Sequence, residues 1–169
     1  LPVMRELWSE ESKFQTWLDV ELAVCDSWAK RGKIPKADLK RIHQRAKFSI
    51  RRIDQIESKV KHDVIAFVSA VAENVGPSGR YLHLGMTSSD LVDTALAVRM
   101  KKATELILAE LDKVSKTLVR KAHKYKYTLM IGRSHGVHAE PITFGLKLGL
   151  WLNEIERNRK RIENAKETI

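Results

Sequence analysis

The chain has one cysteine, four prolines and eight glycines in 169 residues, and aromatic residues make up only 7%. A single thiol, Cys25, cannot close an internal disulfide, so no disulfide scaffold holds this fold. The apolar runs fall far short of the roughly 20 residues that cross a bilayer. No charged-then-apolar leader opens the sequence. Alternating strand patterns and Asn-Gly hairpin turns are missing. So are a glycine-rich phosphate loop and a helical HExxH motif. These absences point away from membrane, secreted, nucleotide-loop and zinc-protease classes, and the cytoplasm is the expected location.

Acidic residues are also in short supply: 21 Asp and Glu against 31 Lys and Arg, a net charge of +10. Such a balance raises the question of nucleic acid. The cations, however, are scattered along polar helix faces (Lys36, Lys40, Arg41, Lys101, Lys102, Arg157, Arg161), with no basic tail and no aromatic-interleaved basic strand. No nucleic-acid partner is expected; a solvated face that attracts anionic metabolites fits better. Hydrophobic residues at 43% and charged residues at 31% suit a folded globular chain. The start at Leu1-Pro2-Val3 and the end at Ile169, inside a helical pattern, suggest a segment of a longer protein.

Helical periodicity dominates what remains. Ser9 is placed to cap a helix to about Arg31, with Phe14, Leu18, Leu22, Cys25 and Trp28 as its apolar stripe. Gly32 ends it, and Cys25 reads as a reduced, buried thiol. A second helix covers about Lys36 to Ala46. A third, about Arg51 to Asn74, carries Ile53, Ile56, Val60, Val64, Phe67 and Val71 and stops at Gly76-Pro77-Ser78-Gly79. After a loop to Ser89, a long helix runs from about Leu91 to Tyr125. Another begins near Ile142, with Phe144, Leu148, Trp151, Ile155 and Ile162 inward. The expected fold is all-α. A helical N-terminal domain (1–90) leads into the first long antiparallel helices of a bundle (91–169), and those helices need further partners to cover their apolar faces.

Three polar clusters interrupt these patterns. Lys61-His62-Asp63 is placed within the third helix, either as a plain polar face or as a cation and imidazole reaching toward an anion. His83 precedes Thr87-Ser88-Ser89-Asp90, a helix N-terminus that either only caps or also binds carboxylate or phosphate. Gly85 lets a ligand approach the backbone there. The third cluster, GRSHGVHAEP from Gly132 to Pro141, sets Arg133, Ser134, His135 and His138 between two glycines and a proline. Imidazole titrates near neutral pH, so a loop histidine suits general acid or base work. Metal binding, with His83 or Asp63 completing a shell, is disfavoured without a cysteine pair, and no metal or cofactor is expected. Composition and spacing alone stop at an all-α domain with a histidine-containing, anion-friendly site.

The segments KHDVIAFV (61–68), LHLGMTSSDLVDTAL (82–96) and GRSHGVHAEPITFG (132–145), together with the opening LPVMRELWSEESKFQTWLDVELAV, resemble the fumarase/aspartase superfamily of lyases. The adenylosuccinate lyase branch is the most similar. The resemblance covers the whole chain. It implies elimination of fumarate from adenylosuccinate, giving AMP, and from the succinyl-carboxamide ribotide (SAICAR), giving AICAR. It implies His135 as the acid that protonates the leaving nitrogen, and Thr87 and Ser88 as the grip on the succinyl carboxylate. Lys61, His62 and Asp63 become a substrate-binding stretch, with His62 near the nucleotide phosphate and His83 in support. Ser134 stands where relatives often carry Thr, which keeps a hydroxyl. Relatives have an Arg-Tyr pair ahead of this segment and a Ser-Ser-x-Met-Pro loop with the catalytic base beyond it. The implied assembly is a homotetramer with active sites shared between subunits, and the segment alone is expected to be inactive. A sister lyase (argininosuccinate lyase, fumarase or carboxymuconate cycloisomerase) is the alternative on the same scaffold, and a basic helical nucleic-acid-binding module is the alternative from another class, though it leaves the three polar clusters unexplained.

Overall fold

The computed structural model of the chain describes residues 1–169. Seven α-helices account for most of it, with one two-stranded hairpin, so the all-α class holds. A short lead-in helix, α1 (Pro2–Leu7), precedes α2 (Glu10–Lys30). As the sequence suggests, Ser9 caps α2: its Oγ accepts from the Ser12 N–H at 3.1 Å, and Glu10 and Glu11 sit in the favourable first turn. Pro35 then leads into α3 (Lys36–Arg45).

The continuous third helix is corrected to two, α4 (Ile50–Val60) and α5 (Asp63–Val75). Lys61-His62-Asp63 therefore lies at a helix boundary rather than within a helix. Lys61 adopts the left-handed conformation at φ 57°, which ends α4, and His62 is extended, which starts α5. A 3₁₀ turn (Gly76–Tyr81) follows, and then α6 (Ser88–Lys124).

The chain divides into two compact units, Leu1–Met100 and Lys101–Ile169. The first unit holds the core. Phe14 stacks on Phe67 at 5.6 Å between ring centroids, and Trp17 meets both rings edge-on. Ile34, Ile42, Ile53, Val64, Val71 and Leu91 are among the other fully buried side chains. Each such fully buried side chain contributes roughly 1.5–3 kcal/mol relative to exposure. Cys25 is buried among them, as expected. Arg99 is also buried, and its guanidinium donates to the Leu7 carbonyl from Nε at 3.1 Å and from Nη2 at 2.9 Å while lying over the Trp8 ring.

In the second unit the later turns of α6 run antiparallel to α7 (Phe144–Thr168). Ser115 bonds Glu156, Asp112 pairs with Arg159, and Glu105 pairs with Lys166, so one number falls as the other rises. Two helices can cover only one stripe of each. Leu148 is buried, but Trp151, placed inward by periodicity, is 43% exposed, and Leu146 and Leu150 are exposed as well.

The loop expected between these helices is a β-hairpin, β1 (Leu129–Ser134) and β2 (Val137–Thr143). Ser134 faces Val137 and Arg133 faces His138, with a register irregularity between Ile131 and Arg133. His135 and Gly136 alone make the turn, at φ 51° and 76°. Two positive φ values in a two-residue turn mark type I′, whose twist matches that of the strands. No helix is long and apolar enough to cross a membrane.

Candidate functional site

The first cluster is built on the break between α4 and α5. The Lys61 N–H donates to the Glu57 carbonyl at 2.8 Å, closing α4, and its side chain is exposed. His62 then acts as the N-cap of α5, its Nδ1 accepting from the Ile65 N–H at 3.4 Å. An Nδ1 that accepts has its lone pair occupied, so the neutral ring carries its proton on Nε2. Asp63 Oδ1 accepts from the Val64 N–H at 2.7 Å and lies 3.5 Å from His62 Nδ1. The cluster thus presents an ammonium, an imidazole and the positive end of α5 to solvent, which suits an anion.

The second cluster surrounds the start of α6. Thr87 precedes the helix and Ser88 is its first residue. Asp90 reaches back so that its Oδ2 accepts from the Thr87 N–H at 2.7 Å, one half of a capping box. The exposed Thr87 hydroxyl and the half-buried Ser88 stand at the positive end of a 37-residue helix. Gly85 packs beneath Trp28; a β-carbon there would come 3.1 Å from Trp28 Cζ2, so this glycine serves internal packing.

His83 has a partner that the sequence reading missed. Its backbone N–H donates to Glu21 Oε2 and its ring Nδ1 meets Glu21 Oε1, each at 2.7 Å. The Glu21 side chain is only 2% exposed, whereas that of His83 is 22% exposed. A detectable signal existed. Glu21 sits seven residues after Phe14 and four before Cys25, on the apolar stripe of α2, where an unpaired carboxylate is costly. Cys25 and Trp28 on the same face also reach the turn: Cys25 Sγ lies 3.7 Å from the Tyr81 carbonyl and Trp28 Nε1 donates to the Leu84 carbonyl at 2.8 Å. Within the first unit, no hydrogen bond or ion pair joins Lys61, His62 or Asp63 to His83, Thr87 or Ser88.

The third cluster lies in the second unit, on the hairpin. His135 occupies the turn itself, exposed and left-handed. Behind it Arg133 Nη2 and His138 Nε2 face each other across the strands at 3.2 Å. An exposed imidazole at the tip of a projecting element can exchange a proton with a bound molecule and with water. Beside the hairpin, Ile131, Arg133, Ile142, Leu146, Lys147 and Leu150 line a groove of about 850 Å³. No group of three or more His, Cys, Asp or Glu side chains is arranged to hold a metal ion.

The comparisons with known proteins bear on these clusters together. The chain is 51% identical to adenylosuccinate lyase of Aquifex aeolicus over 169 residues and 50% identical to that of Synechocystis. It is 47% identical to the Bacillus subtilis adenylosuccinate lyase over 168 residues. These alignments take in 98 to 100% of this chain but 39% of each relative, so the chain spans well under half the length of the curated relatives it matches. Among solved structures, a fumarate lyase from a Mesorhizobium species superposes with a TM-score of 0.89 at 30% identity, over 96% of this chain and 39% of that one. The 3-carboxy-cis,cis-muconate lactonizing enzyme of Pseudomonas putida gives a TM-score of 0.90 at 31% identity, over 97% and 39%. The family model described as Lyase matches residues 1–169, and the chain belongs to that lyase family.

Proposed function

We propose that the protein carrying this chain eliminates fumarate from adenylosuccinate to give AMP, and from SAICAR to give AICAR. The observation that supports this most is the identity of about one half with adenylosuccinate lyases across essentially every residue, against 31% for the muconate lactonizing enzyme. Purine nucleotides are then the substrates, and no cofactor takes part.

In this reading a base removes a proton from the carbon beside a substrate carboxylate. The electron pair moves into that carboxylate, and donors around it stabilise the charge. Thr87 and Ser88 at the positive end of α6 supply such donors. Lys61, His62 and Asp63 hold the nucleotide, His62 through its outward Nε2–H toward phosphate. The C–N bond breaks as His135 delivers a proton to the departing nitrogen, and fumarate and the free amine leave. His83 supports the site. The base belongs to a part of the protein outside these residues. Two-helix coverage leaves Leu146, Leu150 and Trp151 exposed in the second unit, so further helices, from the rest of the protein or from other subunits, cover that face; the assembly in this reading is a homotetramer with shared sites. The segment by itself is inactive, and the working location is the cytoplasm.

The test is fumarate release from adenylosuccinate by the uninterrupted reading frame that contains this segment. Release that His135→Ala abolishes supports the reaction and the acid together. Release only from argininosuccinate or another succinyl compound moves the enzyme to a sister branch, and no turnover of any of them ends the lyase reading.

A further inference from the structure

We propose that Glu21 is a positioning residue for His83: it fixes the imidazole as its Nδ1–H tautomer, leaving Nε2 as the hydrogen-bond acceptor on the accessible side. The inference rests on the reading of the His83 cluster as a substrate site.

The carboxylate holds one residue at two points. Oε2 accepts the His83 backbone N–H and Oε1 meets Nδ1, both at 2.7 Å. The backbone bond fixes where the residue sits, in a left-handed conformation at φ 60°. The ring bond fixes which way the imidazole faces. Carboxylic acids are stronger acids than imidazolium, so the proton shared between Oε1 and Nδ1 rests on the ring. A neutral His83 therefore keeps its lone pair on Nε2, the nitrogen turned from the buried carboxylate. This is the opposite tautomer to the one His62 adopts as an N-cap, so the two imidazoles present an acceptor and a donor respectively.

The arrangement exceeds what holding the turn requires. Trp28 already binds the Leu84 carbonyl, Cys25 lies against the Tyr81 carbonyl, and a hydrogen bond to the His83 amide needs only one acceptor atom. Burying a carboxylate is costly unless its oxygens are well paired. Here the second oxygen is spent on the ring of a side chain that remains in contact with solvent. An oriented histidine held through Nδ1 by a carboxylate is an arrangement suited to proton transfer or ligand binding through Nε2.

Glu21→Gln separates tautomer control from simple bracing. Glutamine has nearly the same shape but one acceptor oxygen and one NH₂ donor. The His83 backbone N–H can only donate, so it takes the oxygen. The NH₂ then faces Nδ1, which must accept, and the ring proton moves to Nε2. The experiment uses the full-length protein that carries this segment, with its histidines isotope-labelled at both ring nitrogens. Spectra are recorded above the histidine titration range, with the His83 signals identified by their loss in His83→Asn. The expected wild-type spectrum shows a protonated Nδ1 and a bare Nε2, and Glu21→Gln reverses the two. Turnover of the succinyl substrate falls on the order of a hundredfold in kcat while KM changes little. A wild-type Nε2–H overturns the proposal without any variant having to fold. So does an unchanged tautomer in Glu21→Gln, or a reversed one that leaves kcat intact. The spectra need no turnover, so an inactive wild type, which defeats the lyase reading, is a separate result from a wrong assignment of Glu21.

Discussion

Gly145 and Lys126 touch backbone to backbone: a β-carbon on Gly145 would come 2.5 Å from the Lys126 α-carbon and 2.6 Å from the Ala122 carbonyl oxygen. The Gly145 N–H donates to the Tyr125 carbonyl at 2.9 Å across the same contact. The first turn of α7 thus depends on a missing side chain. Gly145→Ala is expected to cost about 1–3 kcal/mol, because the obstructing atoms are backbone and cannot swing aside. Urea unfolding followed by circular dichroism checks this; an unchanged midpoint would show that α7 can slide without loss.

His135 and Gly136 allow structure to be separated from chemistry. Asn tolerates the left-handed region, and Asn-Gly is the preferred type I′ pair. His135→Asn is therefore expected to keep the hairpin, with amide-exchange protection at Met130 and Ile142 equal to or above that of the parent. Turnover by the full-length protein should still fall by at least about a hundredfold. Retained turnover would remove His135 from the chemistry.

Arg99 is held by its fork. Nε and Nη2 share the Leu7 carbonyl, Nη2 also reaches the Ser9 carbonyl at 3.3 Å, and the guanidinium lies 4.8 Å from the centroid of the Trp8 ring. Burial pulls this guanidinium below its ordinary range, with Glu10 acting the other way. Lysine keeps the charge but offers one nitrogen. Arg99→Lys is expected to cost about 1–3 kcal/mol, read as a lower denaturation midpoint and a changed Trp8 fluorescence.

Burial, followed by the charges of Glu21 and Asp26, pushes the Cys25 thiol up to about 12 from the 9.0 of an ordinary thiol. The folded chain keeps this proton where the unfolded chain has released it. The resulting stability is fully present below about pH 9 and is lost as pH rises toward about 12. The thermal midpoint of the parent should fall more steeply over that window than that of Cys25→Ala. Parallel curves would show that the thiol plays no part in alkaline unfolding.

The features legible in the sequence were those carried by side-chain spacing. Ser9 and the Phe14–Cys25 stripe define α2 because cap and apolar period agree. Gly76 ends α5 for a similarly local reason. The break at Lys61 was hidden, because Ile56, Val60 and Val64 continue at steps of four straight through it and only the backbone departs. The hairpin was hidden too. Its exposure pattern does not alternate cleanly, Pro141 sits inside β2, and the turn is His-Gly rather than Asn-Gly. Glu21 escaped because a glutamate in a helix ordinarily faces water, and its partner lies 62 residues away.

That separation also orders events in time. The hairpin turn joins neighbours in sequence, and such units form in about 1–10 μs. The bonds from Glu21, Cys25 and Trp28 to the 81–84 turn instead close spans of 56 to 62 residues. Closing such spans carries an entropic cost that local contacts avoid. α3, α4 and α5 all lie within those spans. If they form after the main folding barrier, weakening them, as in Trp28→Phe, is expected to speed unfolding with little change in the folding rate, and a slowed folding limb in stopped-flow kinetics would place them in the nucleus instead.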